Sequence, residues 1–206
     1  MASWTSDLTV RPARAAETAQ FRELPEAHHW LGSGLFGSVI RHVAILDGAW
    51  VALAGYESAV LRCTARDQVI GWPDADRAGR LPMLAGNQRF CVLPGARRHL
   101  ASAVLARSLA RLPGDYLAVH NQIVLAVETF TDPARHTGAC YAAAGFTLAG
   151  PASGYARAAG GRRVPFPRPG QAVLAAGGAS RRPGRARRPG SLGAVRPAAT
   201  AGVAGP

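Results

Sequence analysis

Residues 90–112 read FCVLPGARRHLASAVLARSLARL, and this stretch decides the fold. Phe90 to Leu93 is a short apolar run, and Pro94-Gly95 closes it because proline presets φ and glycine accepts the backbone that a tight turn needs. From His99 to Leu112 the apolar residues Leu100, Val104, Leu105, Leu109 and Leu112 recur at helical spacing, which predicts a helix with one buried face. The unit is therefore strand, turn, helix. Downstream, Ile123 to Phe130 is almost continuously apolar, the pattern of a strand buried on both faces of a parallel or mixed sheet. A short helix over Thr137–Ala144 ends at Gly145, a C-cap, and Phe146 to Ala149 forms a last strand. Upstream, Val39–Leu46 and Ala49–Tyr56 flank Asp47-Gly48, a dipeptide that favours a two-residue hairpin turn.

Two segments between these, Ser58–Ile70 and Asp74–Gln88, read as helical or irregular, interrupted by Pro73 and Pro82. Residues 1–27 predict an N-terminal helical segment, centred on Ala13 to Leu24. Hairpin, strand, helix, strand, helix, strand is the order found in N-acyltransferases of the GNAT type. The expected class is thus α/β, a GNAT-like mixed central sheet flanked by helices over residues 28–156, followed by a disordered Arg/Gly/Pro-rich tail.

Charge is distributed unevenly. All 12 acids of the 206-residue chain precede residue 157 and are nearly balanced there by 14 Arg, whereas the last 50 residues carry 10 Arg and no acid. The net +12 is a property of the tail and does not argue that the folded part binds nucleic acid. No apolar run approaches the roughly 18 residues of a membrane span. Asp7, Arg11, Arg14 and Glu17 stand where a signal peptide needs an apolar core. Cys63, Cys91 and Cys140 are an odd set without a CxxC, which suits reduced thiols in a cytoplasm. His28 and His29 have no companions at metal-ligand spacing, so no metal is expected.

Six words carry a more specific signal: HWLG (29–32), ARDQVIGW (65–72), NQRFCVLP (87–94), LASAVL (100–105), VETFTD (127–132) and GACY (138–141). In this order they resemble the DruA family, over about residues 25 to 160. That family is named for the Druantia anti-phage system and also accompanies bacterial transposases. The resemblance implies a cytoplasmic bacterial protein of phage defence or a mobile element, with other defence-system or transposon proteins as partners. It makes His29, Arg66, Asp67, Trp72, Asn87, Arg89, Asp132 and Cys140 signature positions, and it supplies no reaction. The chain departs from the family pattern at Ala144-Gly145-Phe146, where relatives read Ala-Asn-Trp, and again from about Arg162.

The GNAT resemblance suggests chemistry. Arg98-His99-Leu100-Ala101-Ser102-Ala103 fits the spacing of the loop that cradles the acyl-CoA pyrophosphate at a helix N-terminus. A Cβ at Ala101, where that motif has glycine, would crowd the anion, so an ordinary helix start is the competing reading. Tyr141, four residues before Gly145-Phe146, matches the tyrosine that protonates a departing CoA thiolate, a role for which a phenol is protonated at neutral pH. It equally suits a structural anchor. Glu128, near the end of an apolar strand, is either a general base for an amine or half of a buried ion pair. Arg66 and Asp67 would fix a turn that Trp72 covers. No P-loop, Ser-His-Asp order or paired-carboxylate nuclease signature is visible.

These readings leave a GNAT-like domain with no or modest catalysis, an acyl-CoA-dependent N-acyltransferase on an unknown amine, and a DNA-binding accessory protein. The last would act through Arg181, Arg182, Arg185, Arg187 and Arg188, whose charges can neutralise phosphates. Residues 157–206 hold 10 Gly and 7 Pro with Phe166 as the one aromatic, too little to build a core. They are read either as a cationic arm or as GC-rich sequence translated out of phase beyond Arg162.

Overall fold

The computed structural model describes residues 4–28, 33–152, 155–157, 163–165 and 170–176. Along the chain run α1 (Trp4–Asp7), β1 (Thr9–Pro12), α2 (Thr18–His28), β2 (Ile40–Leu46), β3 (Ala49–Ser58), α3 (Thr64–Ile70), α4 (Asp74–Arg80), β4 (Leu84–Val92) and α5 (Leu100–His120). Then follow β5 (Ala126–Thr131), α6 (Ala139–Ala143), β6 (Thr147–Ala152), β7 (Tyr155–Arg157), β8 (Arg163–Pro165) and β9 (Gly170–Ala176). Seven strands form one sheet in the order β1-β2-β3-β4-β5-β9-β6, and β7 pairs with β8 separately. Only β4 and β5 run parallel within the large sheet; its other neighbours are antiparallel. This is the mixed sheet flanked by helices that the element order implied.

The hairpin forms where its turn chemistry puts it. Asp47 and Gly48 both have positive φ, at 52° and 76°, as a two-residue turn between right-twisted strands requires. Helix α5 covers one face of the sheet: Leu109, Leu112 and Tyr116 pack with Ile40, Ala54, Tyr56, Ala85 and Val127, while Leu100 and Val104 pack with Ala44, Leu46 and Ala52. The opposite face is covered by α2, whose Phe21 meets Val43, Leu53 and Cys91. Beside it α3 packs Ala65 on Ala152, with Phe130 against the cluster.

Several boundaries differ from the sequence reading for physical reasons. The N-terminal segment is not one helix, because Thr9–Pro12 pairs with β2 and adds an edge strand. Strand β4 begins at Leu84, six residues before Phe90, since Gly86 and Asn87 weaken the local apolar pattern while pairing with β3 holds them extended. Helix α5 runs through Pro113 to His120, with buried Tyr116 anchoring its last turns through a hydroxyl bond to Ser38 O (2.9 Å). Ile123 and Leu125 precede β5 and are exposed. Within the stretch expected as tail, Gly170–Ala176 forms β9, inserted between β5 and β6. Apart from Arg157 and β8, the remainder of that stretch, including Arg181, Arg182, Arg185, Arg187 and Arg188, lies outside the described residues, as does His29.

Candidate functional site

The β4–β5 pair is hydrogen-bonded over three registers only, Leu84↔Ala126, Ala85↔Val127 and Gly86↔Glu128. Beyond Gly86 the two strands part, while β4 stays paired with β3 as far as Ala52↔Val92. One edge of β4 beyond Gly86 is therefore left without a strand partner, and this opening between β4 and β5 is the candidate cleft. At the same point β4 carries a bulge: Tyr56 pairs with Asn87 and Gly55 with Arg89, leaving Gln88 without a partner residue.

Three polar side chains close the vertex. Thr129 Oγ1 donates to Asn87 O (2.8 Å), bridging the strands where their ladder ends. Tyr141, from α6, donates its hydroxyl to Asn87 Oδ1 (3.0 Å), and Asn87 Nδ2 donates to Gly55 O (3.2 Å). The ring of Tyr141 stands edge-on to Phe146 and Phe90, at 5.1 and 6.0 Å, so its direction is fixed by packing. Burial pushes the phenol above its ordinary value, which keeps the proton on oxygen at any neutral pH. Gln88 Nε2 is buried with no acceptor among the described residues, and Gly86 makes room for it, since a Cβ there would stand 2.9 Å away.

The loop after β4 leads into α5, whose first-turn amides have no preceding carbonyl within the helix. The left-handed residue is His99 (φ 67°), one step before Leu100, so Ala101 has ordinary helical backbone. Of the candidate loop, Leu100 is buried in the core, Arg98 is exposed, and Ala101, Ser102 and Ala103 are half-buried. Ser102 Oγ donates to His99 O (3.0 Å), turning back on the loop. Among the described residues no group of three or more His, Cys, Asp or Glu could hold a metal ion.

Glu128 points to the other face of the sheet, since successive strand residues alternate. It is 1% exposed; Oε1 accepts from Val60 N (2.7 Å) and Oε2 from Arg66 Nη1 (2.9 Å). Desolvation raises its pKa, opposed by Arg66 and Val60. Both oxygens are occupied, and the structure does not bring Glu128 together with Tyr141. Arg66 also donates Nε to Asp67 Oδ1 (2.8 Å), which accepts from Trp72 Nε1 (3.0 Å), and its guanidinium lies 5.6 Å from the Trp72 ring. These signature residues thus tie α3 to β5. Arg89 is buried on the α2 face, donating to Gln88 O (2.7 Å) in the field of Glu57 and Glu26. Asp132 holds the turn after β5 through Ala134 N (2.9 Å), and burial raises the Cys140 thiol.

A Ser-His-Asp array absent from the linear reading does exist. Asp115 Oδ2, His42 Nε2, His42 Nδ1, Ser108 Oγ and Tyr56 OH form a chain with steps of 2.9, 2.6 and 2.7 Å between residues. Ser108 and His42 are 0% and 1% exposed, so no substrate reaches the hydroxyl. The array links α5 to β2 and β3. Residues 66 and 73 positions apart gave no local pattern from which to find it.

Comparison with known proteins bears on the fold. The ribosomal-protein-S18-alanine N-acetyltransferase of Escherichia coli superposes with a TM-score of 0.53 at 12% identity, over 86% of this chain and 99% of that one. The aminoglycoside acetyltransferase AAC(6')-Ib, solved with paromomycin and acetyl-CoA, gives 0.49 at 16% identity, over 82% and 93%. A GNAT-family acetyltransferase of Streptococcus pneumoniae gives 0.48 at 11%, over 82% and 99%. The likeness is to the GNAT acetyltransferase fold. No curated protein sequence matches. Among the described residues no helix is long and apolar enough to cross a membrane. The family described as Druantia protein DruA matches residues 8–156, and the chain therefore belongs to the DruA family.

Proposed function

We propose that the cleft between β4 and β5 binds an acyl-CoA thioester and that the protein is a cytoplasmic DruA-family domain with modest acyl transfer to an amine. The observation that carries this reading is the end of the β4–β5 ladder at Gly86↔Glu128, with the Tyr141 hydroxyl at the vertex. The acceptorless Gln88 Nε2 beside Gly86 adds a buried donor to which a ligand oxygen can bond. Transfer requires the amine nitrogen to bond to the thioester carbonyl carbon and to release one proton to solvent, while the C–S bond breaks with its electron pair on sulfur. Tyr141 supplies the proton that sulfur takes and regains one from solvent. Glu128 is committed to Arg66 and Val60, so the amine must arrive already deprotonated. That requirement, with Ala101 in place of glycine, is why transfer is expected to be modest. The expected partners are other defence-system or transposon proteins, with nucleic acid as a further partner of the arginine-rich C-terminal segment.

Calorimetric titration with acetyl-CoA tests the reading. Saturable binding is expected, and no heat at millimolar ligand would remove it. Tyr141→Phe should retain acetyl-CoA affinity within a few-fold while lowering transfer by about 10²-fold, the lower end of what a general acid contributes. A variant with undiminished transfer would strip Tyr141 of the role.

A further inference from the structure

Arg41, at the start of β2, lies on the face covered by α2. The register sets it beside Gly55 of β3, and Gly55 beside Arg89 of β4. Leu35 fills the space over Gly55, where a Cβ would stand 2.8 Å from Leu35 Cδ1. The two arginines of this row differ in company. Arg89 sits in the field of Glu57 and Glu26. Arg41 has a buried Nε with no hydrogen-bond partner, and the charge it feels among the described residues is that of Arg22, of the same sign. The ring of Phe21 lies 5.9 Å from its guanidinium carbon and offers a π face, but a ring does not replace an acceptor for a buried N–H. Burial, then Arg22, pushes the guanidinium below its ordinary value.

A half-buried cation held next to another, with an unfilled donor and no counter-charge among the described residues, is destabilising as it stands and complementary to an anion. We infer that Arg41, with Arg22 beside it, is a binding site for an oxyanion, the carboxylate or phosphate of a small molecule approaching over α2. The site itself is independent of the acyl-CoA reading. Where that reading holds, Arg41 lies two strands from β4, roughly 10 Å at ordinary strand spacing. That separation suits an acceptor whose anionic group is held at Arg41 while its amine reaches the cleft, and this assignment rests on the acyl-CoA reading.

The test is thermal unfolding of the full chain in inorganic phosphate against chloride at equal ionic strength. Wild type should melt several degrees higher in phosphate. Arg41→Gln should lose that rise and, without phosphate, melt no lower than wild type; Arg22→Gln should weaken it. A phosphate effect that survives Arg41→Gln, or a wild type indifferent to phosphate, overturns the site. Should Arg41→Gln fail to fold, phenylglyoxal modification of the wild-type protein decides: phosphate must protect Arg41, and modification at an unchanged rate overturns the proposal. Acetyl-CoA titration of Arg41→Gln separates the two readings. Unchanged affinity supports the acceptor assignment, whereas a tenfold loss gives the anion to coenzyme phosphates and overturns it.

Discussion

Tyr141 and Glu128 show how differently two single residues can be read. Tyr141 was legible as a candidate because its neighbours Gly145 and Phe146 lie within one turn and a strand start, so a short word contains the whole arrangement. Glu128 was ambiguous because its partner Arg66 lies 62 residues away, on a helix whose position no local pattern gives. In place, the pair is fully desolvated and multiply bonded, and its members cannot be removed one at a time cheaply. Arg66→Met alone should cost about 3–5 kcal/mol, by leaving Glu128 an uncompensated buried charge, and Glu128→Leu alone should cost less, because Asp67 still faces Arg66 at 2.8 Å. The double substitution Arg66→Met with Glu128→Leu should recover much of that loss. Urea unfolding of the three variants checks it, and additive single and double effects would mean the two groups do not act as a pair.

At the scale of elements, the β2–β3 hairpin was read almost to its ends because Asp47-Gly48 fixes its turn locally. The attachment of α5 to β2 was not legible, since His42, Ser108 and Asp115 meet only after the sheet forms. That attachment gives the fold an acid sensitivity. Desolvation lowers the His42 pKa, and the opposing pull of Asp115 does not restore it. The neutral ring can donate Nε2–H to Asp115 and accept from Ser108 at Nδ1, which in turn accepts from Tyr56. When the folded pKa is depressed, the unfolded chain takes up a proton first as pH falls. Stability is therefore complete above the free histidine value of about 6.5 and declines below it. Arg111 and His42 also hold the Asp115 carboxyl well below the usual range against the desolvation that would raise it. A second loss follows at lower pH, as the unfolded carboxyl protonates near about 3.9. Chemical denaturation from pH 8 to pH 5 should show a falling unfolding free energy in wild type and a shallower slope in His42→Gln. Equal slopes would show that another group carries the dependence.

For the whole molecule, the decisive strand is β9, which lies where composition argued for a tail. Its Gly170, Gln171 and Ala172 follow a proline-rich stretch, and small residues at Ala175 and Ala176 give no alternation strong enough to stand out. What orders them is long-range: Ala126–Thr131 on one side and Thr147–Ala152 on the other, along both of which β9 runs antiparallel. Without β9 both strands would present unpaired edges, and the half-buried Val173, packed against the α5 core cluster, would be lost. A reading frame lost at Arg162 gives no reason for residues eight positions later to complete the sheet, whereas an in-frame strand does. The two accounts separate by truncation. A chain ending at residue 176 should melt cooperatively within a few degrees of the full protein. One ending at residue 168 should lose several degrees or its cooperative transition, and aggregate through the exposed β5 and β6 edges. If the shorter chain melts with the full one, β9 contributes nothing to the fold, and the out-of-phase reading of everything beyond Arg162 regains its force.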